Sequence, residues 1–309
     1  MAKSKRGVVL LMTDFCEEWL DIYKESGLDF LGLHTIVQEC NNDDYIKWAN
    51  SDEVVALIKK FEDAGITVEH ELHNAYSLLP RGFFETSPYM FRENGGERTD
   101  DYNFCPSSRE AIGMIEFQAF MFAKALGQTS LSYHFWSDDK AGAWCSCERC
   151  KGISSGNQAY IFSEAVLRGI RKYNPDAREC YLAYQDMKAK DVKKNDGLYL
   201  EFAPIHRVLT EPITAEANRG DRELLLDQMK YFDKTYILDY WLDESLFSGW
   251  NRANISELPD LERIIREDVK YYETLGVEAI TTFAAYVDSD YFKRYGKENI
   301  IRYCKALAE

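Results

Sequence analysis

Eight runs of apolar and aromatic residues recur along the chain, separated by segments in which apolar residues follow helical spacing. The runs are continuous more often than alternating, which is typical of strands buried on both faces of a parallel sheet. Between them, stripes such as Val54, Leu57, Ile58 and Phe61 predict amphipathic helices. The strand-like runs span residues 7–13, 28–35, 66–73, 131–137, 178–184, 197–203, 235–242 and 278–284.

Helix signals fill most of the spaces between the runs. Stripes begin at Ile112, Ala159 and Leu261, and the last helix is expected over residues 291–307. Ser107 and Glu110 are spaced as a capping box before the Ile112 stripe. Residues 186–195 are few and charged, so the helix between the fifth and sixth runs is expected to be weak or missing.

Eight strand–helix alternations within 309 residues are the count of a (β/α)8 barrel, the TIM barrel, which usually takes ~250 residues. Because no Pro/Gly/Ser-rich linker or internal repeat divides the chain, we expect one α/β domain over residues 1–309. Long loops at 74–106 and 140–156 are expected on its active-site face. The alternative is an open doubly wound sheet, but no Gly-x-Gly-x-x-Gly follows the first run.

The barrel prediction places chemistry at the carboxyl ends of the strands. Asp138 and Asp139 follow the fourth run and are the predicted catalytic pair, because carboxylates exchange protons in glycoside cleavage. The alternative is a solvated Asp-Asp turn beside core tryptophans. The other strand ends supply acids, histidines and aromatic rings that we expect to bind substrate: His34, Glu71, His73, Trp136, Tyr184, Glu201, Asp239, Tyr240, Trp241 and Tyr286.

Composition excludes some partners and favours others. The formal net charge of −15 argues against nucleic acid and against an anionic membrane surface. Aromatic residues make up 14% of the chain, as expected for a surface that binds carbohydrate. The basic start shows no cleavage site and no apolar stretch is long enough to cross a bilayer, so we expect a cytoplasmic protein, or an exported one whose leader has been removed.

A cysteine motif lies directly behind the acid pair. Cys145, Cys147 and Cys150 have a spacing suited to metal chelation, and a closed zinc site needs a fourth ligand. Cys105 is the preferred fourth thiol, because it precedes a helix on the same rim, and Cys40 comes next. We expect no catalytic cofactor, and either a structural zinc at this motif or reduced thiols that pack a loop.

The run Trp-Ser-Asp-Asp at 136–139, with Trp144 and the three cysteines behind it, resembles the signature of domain-of-unknown-function family 4838. The segments 73–107 and 201–207 resemble the same family, whose members are bacterial barrels related to family 20 β-hexosaminidases and α-glucuronidases. By that resemblance, Asp138 would orient a substrate acetamido group and Asp139 would be the acid/base. Hexosaminidases proper have Asp-Glu at this place, whereas O-GlcNAc hydrolases have Asp-Asp.

Three functions follow as hypotheses. The first is a glycoside hydrolase that acts on an amino sugar or a uronic acid by carboxylate chemistry, with substrate assistance as one mechanism. The second is a carbohydrate-binding barrel without catalysis. The third is a metal-dependent sugar isomerase that uses Glu71, His73, Glu201 and Asp239 as ligands.

Overall fold

Eight parallel strands close into a barrel in the computed structural model, which describes residues 3–35 and 42–309. Each strand pairs with the next in the chain, and the last pairs with the first. The predicted (β/α)8 barrel is confirmed and the open sheet is excluded. The strands are β1 Lys5–Leu11, β2 Phe30–His34, β3 Thr67–His73, β4 Ser132–Trp136, β5 Arg178–Ala183, β6 Leu198–Phe202, β7 Thr235–Asp239 and β8 Ala279–Phe283.

Helices cover the outside of this barrel. They are α1 Glu18–Ser26, α2 Asn42–Ala49, α3 Asp52–Asp63, α4 Ala75–Leu78, α5 Arg109–Leu126, α6 Ser155–Ile170, α7 Arg219–Gln228, α8 Glu244–Phe247, α9 Glu262–Thr274, α10 Ser289–Tyr295 and α11 Glu298–Ala308. The four predicted stripes lie on α3, α5, α6 and α9. The described residues between β5 and β6 form no helix, as their charged sequence predicted.

Two predictions about helix ends were wrong. The predicted helix over 291–307 is two helices, because Gly296 ends α10 with φ 77°, a left-handed conformation that glycine adopts without strain. The cap of α5 is Ser108, whose hydroxyl accepts from the Ala111 N–H, and not Ser107. The Ser107 hydroxyl lies 3.1 Å from the Cys150 sulfur instead.

The barrel interior contains ionisable side chains in place of the usual aliphatic layers. His134 on β4 bridges two carboxylates: its Nε2 lies 2.7 Å from Glu69 and its Nδ1 2.9 Å from Glu201. Burial alone lowers the pKa of His134, but the charge of Glu201 and the hydrogen bonds to Glu201 and Glu69 raise it well above its usual value. We therefore assign His134 as an imidazolium that donates from both nitrogens.

Glu71 lies in the same interior with no partner for either carboxylate oxygen. Burial raises its pKa well above the usual value, so the group is a neutral acid. A Cβ at residue 32 would lie 2.4 Å from Glu71 Oε1. Gly32 on β2 therefore leaves the space that this carboxyl occupies.

The connections after β3 and β4 lie together at the carboxyl end of the barrel. The first includes α4 and a short antiparallel pair, Glu93–Asn94 with Glu97–Arg98. The Ser146 N–H and hydroxyl both donate to the Glu93 carbonyl, at 2.9 and 2.8 Å. Asn103 also joins the two loops, because its amide accepts from the Asp138 N–H and donates to the Ala143 carbonyl. No helix among the described residues is long and apolar enough to span a bilayer.

Candidate active site

A cavity of about 560 Å³ opens at the carboxyl end of the barrel, within the usual size range of small-molecule sites. Residues from the strand ends and from the loops beyond them form its walls. They are Leu11, Thr13, His34, His73, Trp136, Asp139, Leu182, Tyr184, Ala203, Ile205, Leu238, Tyr240, Asp243, Ser245, Trp250, Arg252, Phe283, Ala285 and Tyr286. Seven of the predicted site residues are in this set: His34, His73, Trp136, Asp139, Tyr184, Tyr240 and Tyr286.

Aromatic rings form much of the wall. Trp136 at the end of β4 contacts the rings of His34 and His73, with centroid distances of 5.4 and 4.9 Å. On another part of the wall, Tyr240 stacks on Phe283 at 5.7 Å. Flat apolar faces with polar groups between them are suited to a pyranose ring, which has apolar faces and polar edges.

Hydrogen bonds from one ring nitrogen to a backbone carbonyl fix the orientation of both wall histidines. His34 Nδ1 lies 2.5 Å from the Thr35 carbonyl, and His73 Nδ1 lies 2.6 Å from the Ser137 carbonyl. In His34 this contact assigns the proton to Nδ1, because a carbonyl oxygen can only accept a hydrogen bond. Burial lowers the pKa of His34 to about 3, so it stays neutral, and its buried Nε2 has no partner. That nitrogen can accept a hydrogen bond from a bound hydroxyl group.

Asp139 is the acid of the predicted pair that faces the cavity. It lies three residues beyond β4, and its Oδ1 accepts from Gln185 Nε2 at 2.9 Å. Tyr184 also borders it: burial first, and then the charge of Asp139, raise the pKa of the Tyr184 hydroxyl. The carboxylate is thus oriented by two polar neighbours at the edge of the cavity.

Asp243 is a second cavity acid, which the sequence prediction missed. It lies four residues beyond β7, caps α8, and its Oδ1 accepts from the Ser245 N–H at 3.1 Å and from the Ser245 hydroxyl at 2.5 Å. Burial raises the pKa of Asp243 to about 7; the Ser245 hydrogen bonds lower it, while Asp14 and Glu244 raise it. This carboxyl group is therefore partly protonated at neutral pH.

The signal for Asp243 was present in the sequence. The predicted seventh run ended at residue 242, so Asp243 was the first polar residue after it. The observed strand stops at Asp239, and the remaining apolar residues form the turn that carries Asp243 to the cavity. The same turn leads to Trp250 and Arg252, two other wall residues that were not predicted.

Asp138 does not line the cavity, although it neighbours Asp139. Its Oδ1 accepts from the Tyr76 N–H at 2.9 Å, and its own N–H donates to Asn103. Burial raises its pKa, while Arg81 opposes that shift. The expectation that both acids reach the cavity is therefore revised to Asp139 alone.

Four further predicted residues lie behind the cavity wall. Glu71 is the partnerless interior acid, and Glu201 Oε2 accepts from His134 and from Trp136 Nε1, each at 2.9 Å. Both acids precede the last residue of their strands, so they lie one layer below the rim. They are available to hold the wall in place but do not line the cavity.

Asp239 and Trp241 at the end of β7 are also occupied by internal partners. Asp239 Oδ2 pairs with Arg207 at 2.6 Å and accepts from Tyr272 at 2.9 Å. Trp241 Nε1 donates to Asp268 at 3.0 Å. Among the described residues, the proposed isomerase ligands Glu71, His73, Glu201 and Asp239 form no common metal-binding group.

Arg252 and Tyr286 close one side of the cavity. The guanidinium lies 4.3 Å from the centre of the Tyr286 ring and is held by Asp14 and by Asp288. Asp14 also accepts from the Tyr286 N–H at 2.7 Å. Tyr286 has φ 67° and Trp250 has φ 63°, which are costly for residues other than glycine. Such strain concentrates at functional sites, where neighbouring contacts maintain it.

The four predicted metal ligands are brought together beside this site. The sulfur atoms of Cys105, Cys145, Cys147 and Cys150 all lie within 4.8 Å of one another. The alternative fourth thiol, Cys40, falls outside the described residues.

The comparisons with known proteins identify the fold of this chain. It is similar to a GH5-4 broad specificity endoglucanase from Clostridum cellulovorans, with a TM-score of 0.55, 9% identity, and coverage of 99% of this chain and 93% of that chain. It is also similar to a family 5 xyloglucanase from Paenibacillus pabuli, with a TM-score of 0.53, 7% identity, and coverage of 95% and 90%. No family model and no curated protein matches the chain. At such low identity these likenesses show the barrel fold.

Proposed function

We propose that this barrel is a glycoside hydrolase whose two reacting carboxyl groups are Asp139 and Asp243. The observation that carries the proposal is their common place on one aromatic-walled cavity, one beyond β4 and the other beyond β7. Two carboxyl groups that flank a bound sugar are the equipment of most glycosidases. The solved structures of similar fold include enzymes named as an endoglucanase and a xyloglucanase, which supports the same class of substrate.

Asp243 is the proton donor in this proposal. Its pKa of about 7 keeps part of the carboxyl protonated near neutral pH, which is the condition for a general acid. Its proton passes to the glycosidic oxygen as the bond from that oxygen to the anomeric carbon breaks. This assignment replaces the one implied by the resemblance, in which Asp139 was the acid and Asp138 its partner.

Asp139 is the second carboxylate, held in place by Gln185 and Tyr184. It either takes a proton from the water that attacks the anomeric carbon or attacks that carbon itself, after which water releases the sugar. In both cases the water oxygen ends on the anomeric carbon and keeps one proton as the new hydroxyl group. The other proton of the water restores the protonated Asp243, through Asp139 and solvent in the first route and directly in the second. The anomeric form of the first product, followed by NMR, separates the two routes.

The residues of the cavity give little support to the substrate proposed first, an amino sugar or a uronic acid. Asp138 does not line the cavity and accepts from the Tyr76 N–H, so substrate assistance would need a different orienting group. Arg252 could attract a uronate carboxylate, but Asp14 and Asp288 already neutralise it. We therefore extend the proposed substrates to neutral pyranosides and keep both original classes in the experiment.

The test compares wild type, Asp139→Asn and Asp243→Asn on a panel of glycosides that includes glucosides, xylosides, N-acetylglucosaminides and glucuronides. We expect each variant to lose about 10²–10⁴-fold in kcat/KM on an unactivated leaving group. A dinitrophenyl leaving group needs no proton, so Asp243→Asn should recover most activity on it while Asp139→Asn should not.

The pH profile gives an independent check. Activity should fall as the pH rises through about 7, because Asp243 then loses the proton that it donates. Wild type that binds sugars in calorimetry without turning over any substrate would indicate the non-catalytic barrel instead. Turnover that survives both substitutions would contradict the assignment of these two acids.

A further inference from the structure

Cys105, Cys145, Cys147 and Cys150 form a separate buried group, here called the thiol cluster. Its members are at most 3% exposed, and they pack with one another rather than with the main hydrophobic core. Four small side chains bury little apolar area, so their packing alone stabilises two long loops only weakly. Apart from the hydrogen bonds of Ser146 and Asn103, the two loops therefore gain little stability from the packing of these thiols.

The sulfur positions match those of a tetrahedral metal site. Cys105 Sγ lies 3.8 Å from Cys147 Sγ and 3.7 Å from Cys150 Sγ. Zinc–sulfur bonds are about 2.3 Å long, and a regular tetrahedron of such bonds places the sulfur atoms about 3.8 Å apart. All seven described cysteines are free thiols, so no disulfide competes for these positions.

Donors surround the cluster as a thiolate site requires. The Glu93 N–H donates to Cys145 Sγ at 3.4 Å, and Arg98 Nη1 donates to the same sulfur at 3.6 Å. Four thiolates around a divalent ion carry a net charge of −2, and the Arg98 guanidinium would offset part of it. Groups that donate to ligating atoms tune metal affinity in this way.

We propose that the thiol cluster binds one zinc ion, which ties the loop after β3 to the loop after β4. Binding releases four protons, one from each thiol, and forms four zinc–sulfur bonds without any change of oxidation state. The site is closed, with no position left for water, so its role is structural. The loop after β4 also carries Asp139, upstream of the three cysteines and on the cavity wall. A zinc ion that fixes this loop therefore also helps to hold Asp139 in place.

Metal analysis of the protein, purified without added metal or chelator, tests this proposal. We expect one zinc per chain, released in step with the reaction of four thiols during titration with a mercurial reagent. Replacement by Co²⁺ should produce thiolate-to-cobalt charge-transfer absorption and the strong visible bands of a tetrahedral site. These readouts do not depend on glycosidase activity, so this proposal and the proposed function can fail separately.

Two variants complete the experiment. Cys147→Ser should lose the zinc, whereas Cys304→Ala, which removes a buried thiol of α11 outside the cluster, should keep it. Arg98→Gln should keep the metal but weaken its affinity by about 10–100-fold. Native wild type with no zinc and freely titrating cluster thiols would overturn the proposal, as would iron or a disulfide in place of zinc.

Discussion

The barrel contains two sets of carboxyl groups that differ in what surrounds them. The interior set, here Glu69, Glu71 and Glu201 around His134, lies within the strands and is sealed from solvent. The rim set, Asp139 and Asp243, lies three and four residues beyond the strand ends and faces the cavity. The carboxyl groups of the interior set thus serve the packing of the barrel, whereas those of the rim set are available to a ligand.

The difference teaches that, in this fold, an acid must lie beyond the strand end to reach the cavity. Glu71 and His73 point to the same side of β3, two residues apart, yet only His73 reaches the cavity. The strands tilt and their inward side chains stack in layers, so one step along the chain changes the layer. The acids inside the strands are therefore structural elements, whereas the two candidate reagents, Asp139 and Asp243, lie on the turns that follow the strands.

The largest expected effect on stability comes from breaking the interior set. His134→Leu removes the buried cation between Glu69 and Glu201. Glu201 then keeps the Trp136 N–H as a partner, and Glu69 keeps the Ser130 hydroxyl and the partly exposed Lys5. We expect the free energy of unfolding to fall by about 3–5 kcal/mol, the usual cost of removing one partner of a buried ion pair. Urea denaturation at pH 7 measures it, with exposed His206→Leu as the control. A loss below 1 kcal/mol would show that His134 is not the charge that holds this set together.

Asp243→Asn should have the opposite effect on stability. The pKa of Asp243 is raised in the folded state from 3.8 to about 7, so its carboxyl destabilises the fold progressively as the pH rises between these values. The amide cannot ionise and still accepts from the Ser245 N–H. At pH 8 we expect the variant to be more stable than wild type by roughly 2–4 kcal/mol, at about 1.4 kcal/mol per pKa unit.

The same pair of proteins should be equally stable at pH 4, where the wild-type carboxyl is protonated when folded. Unfolding curves at pH 4, 6 and 8 trace this dependence directly. A difference between the two proteins that stays constant over this pH range would contradict the raised pKa. Together with the His134 variant, this experiment distinguishes a cavity acid that lowers the stability of the fold from interior acids whose pairing raises it.

The smallest expected effect concerns Asp138. Its comparison with Asp139 sets a buried acid against a cavity acid on the same turn after β4. Asp138→Asn keeps an acceptor for the Tyr76 N–H, so kcat/KM should change by less than about threefold. Asp139→Asn, one residue away, should lose most activity. Equal losses in both variants would restore the adjacent acid pair that the resemblance implied.

Much of the fold could be predicted from local pattern. Seven of the eight strands lie within the predicted runs, and β1 overlaps its run but begins two residues earlier. The runs are visible in the sequence because strands buried on both faces are largely apolar. The charged segment 186–195 correctly indicated a missing helix. The errors fell at boundaries, such as the single last helix, because only the backbone conformation of Gly296 shows that the chain turns there.

The candidate site was predictable only in part. Asp139, His73 and Tyr184 were found because they end or follow apolar runs, and the grouping of Cys105 with the cysteine motif followed from its place on the same rim. Asp239 and Glu201 were chosen by the same rule, yet their oxygens are occupied by Arg207 and by His134. Partners that come from distant parts of the chain leave no local signal.

The sequence by itself determined the barrel, its number of strands and the end at which its polar residues gather, because burial requires apolar runs of a given length and spacing. Only the tertiary structure decided which acids face the cavity. Asp138 and Asp139 are chemically identical neighbours, and the direction of the turn gives one to Tyr76 and the other to the cavity. Such choices depend on contacts between residues far apart in the chain, and these form only when the barrel closes.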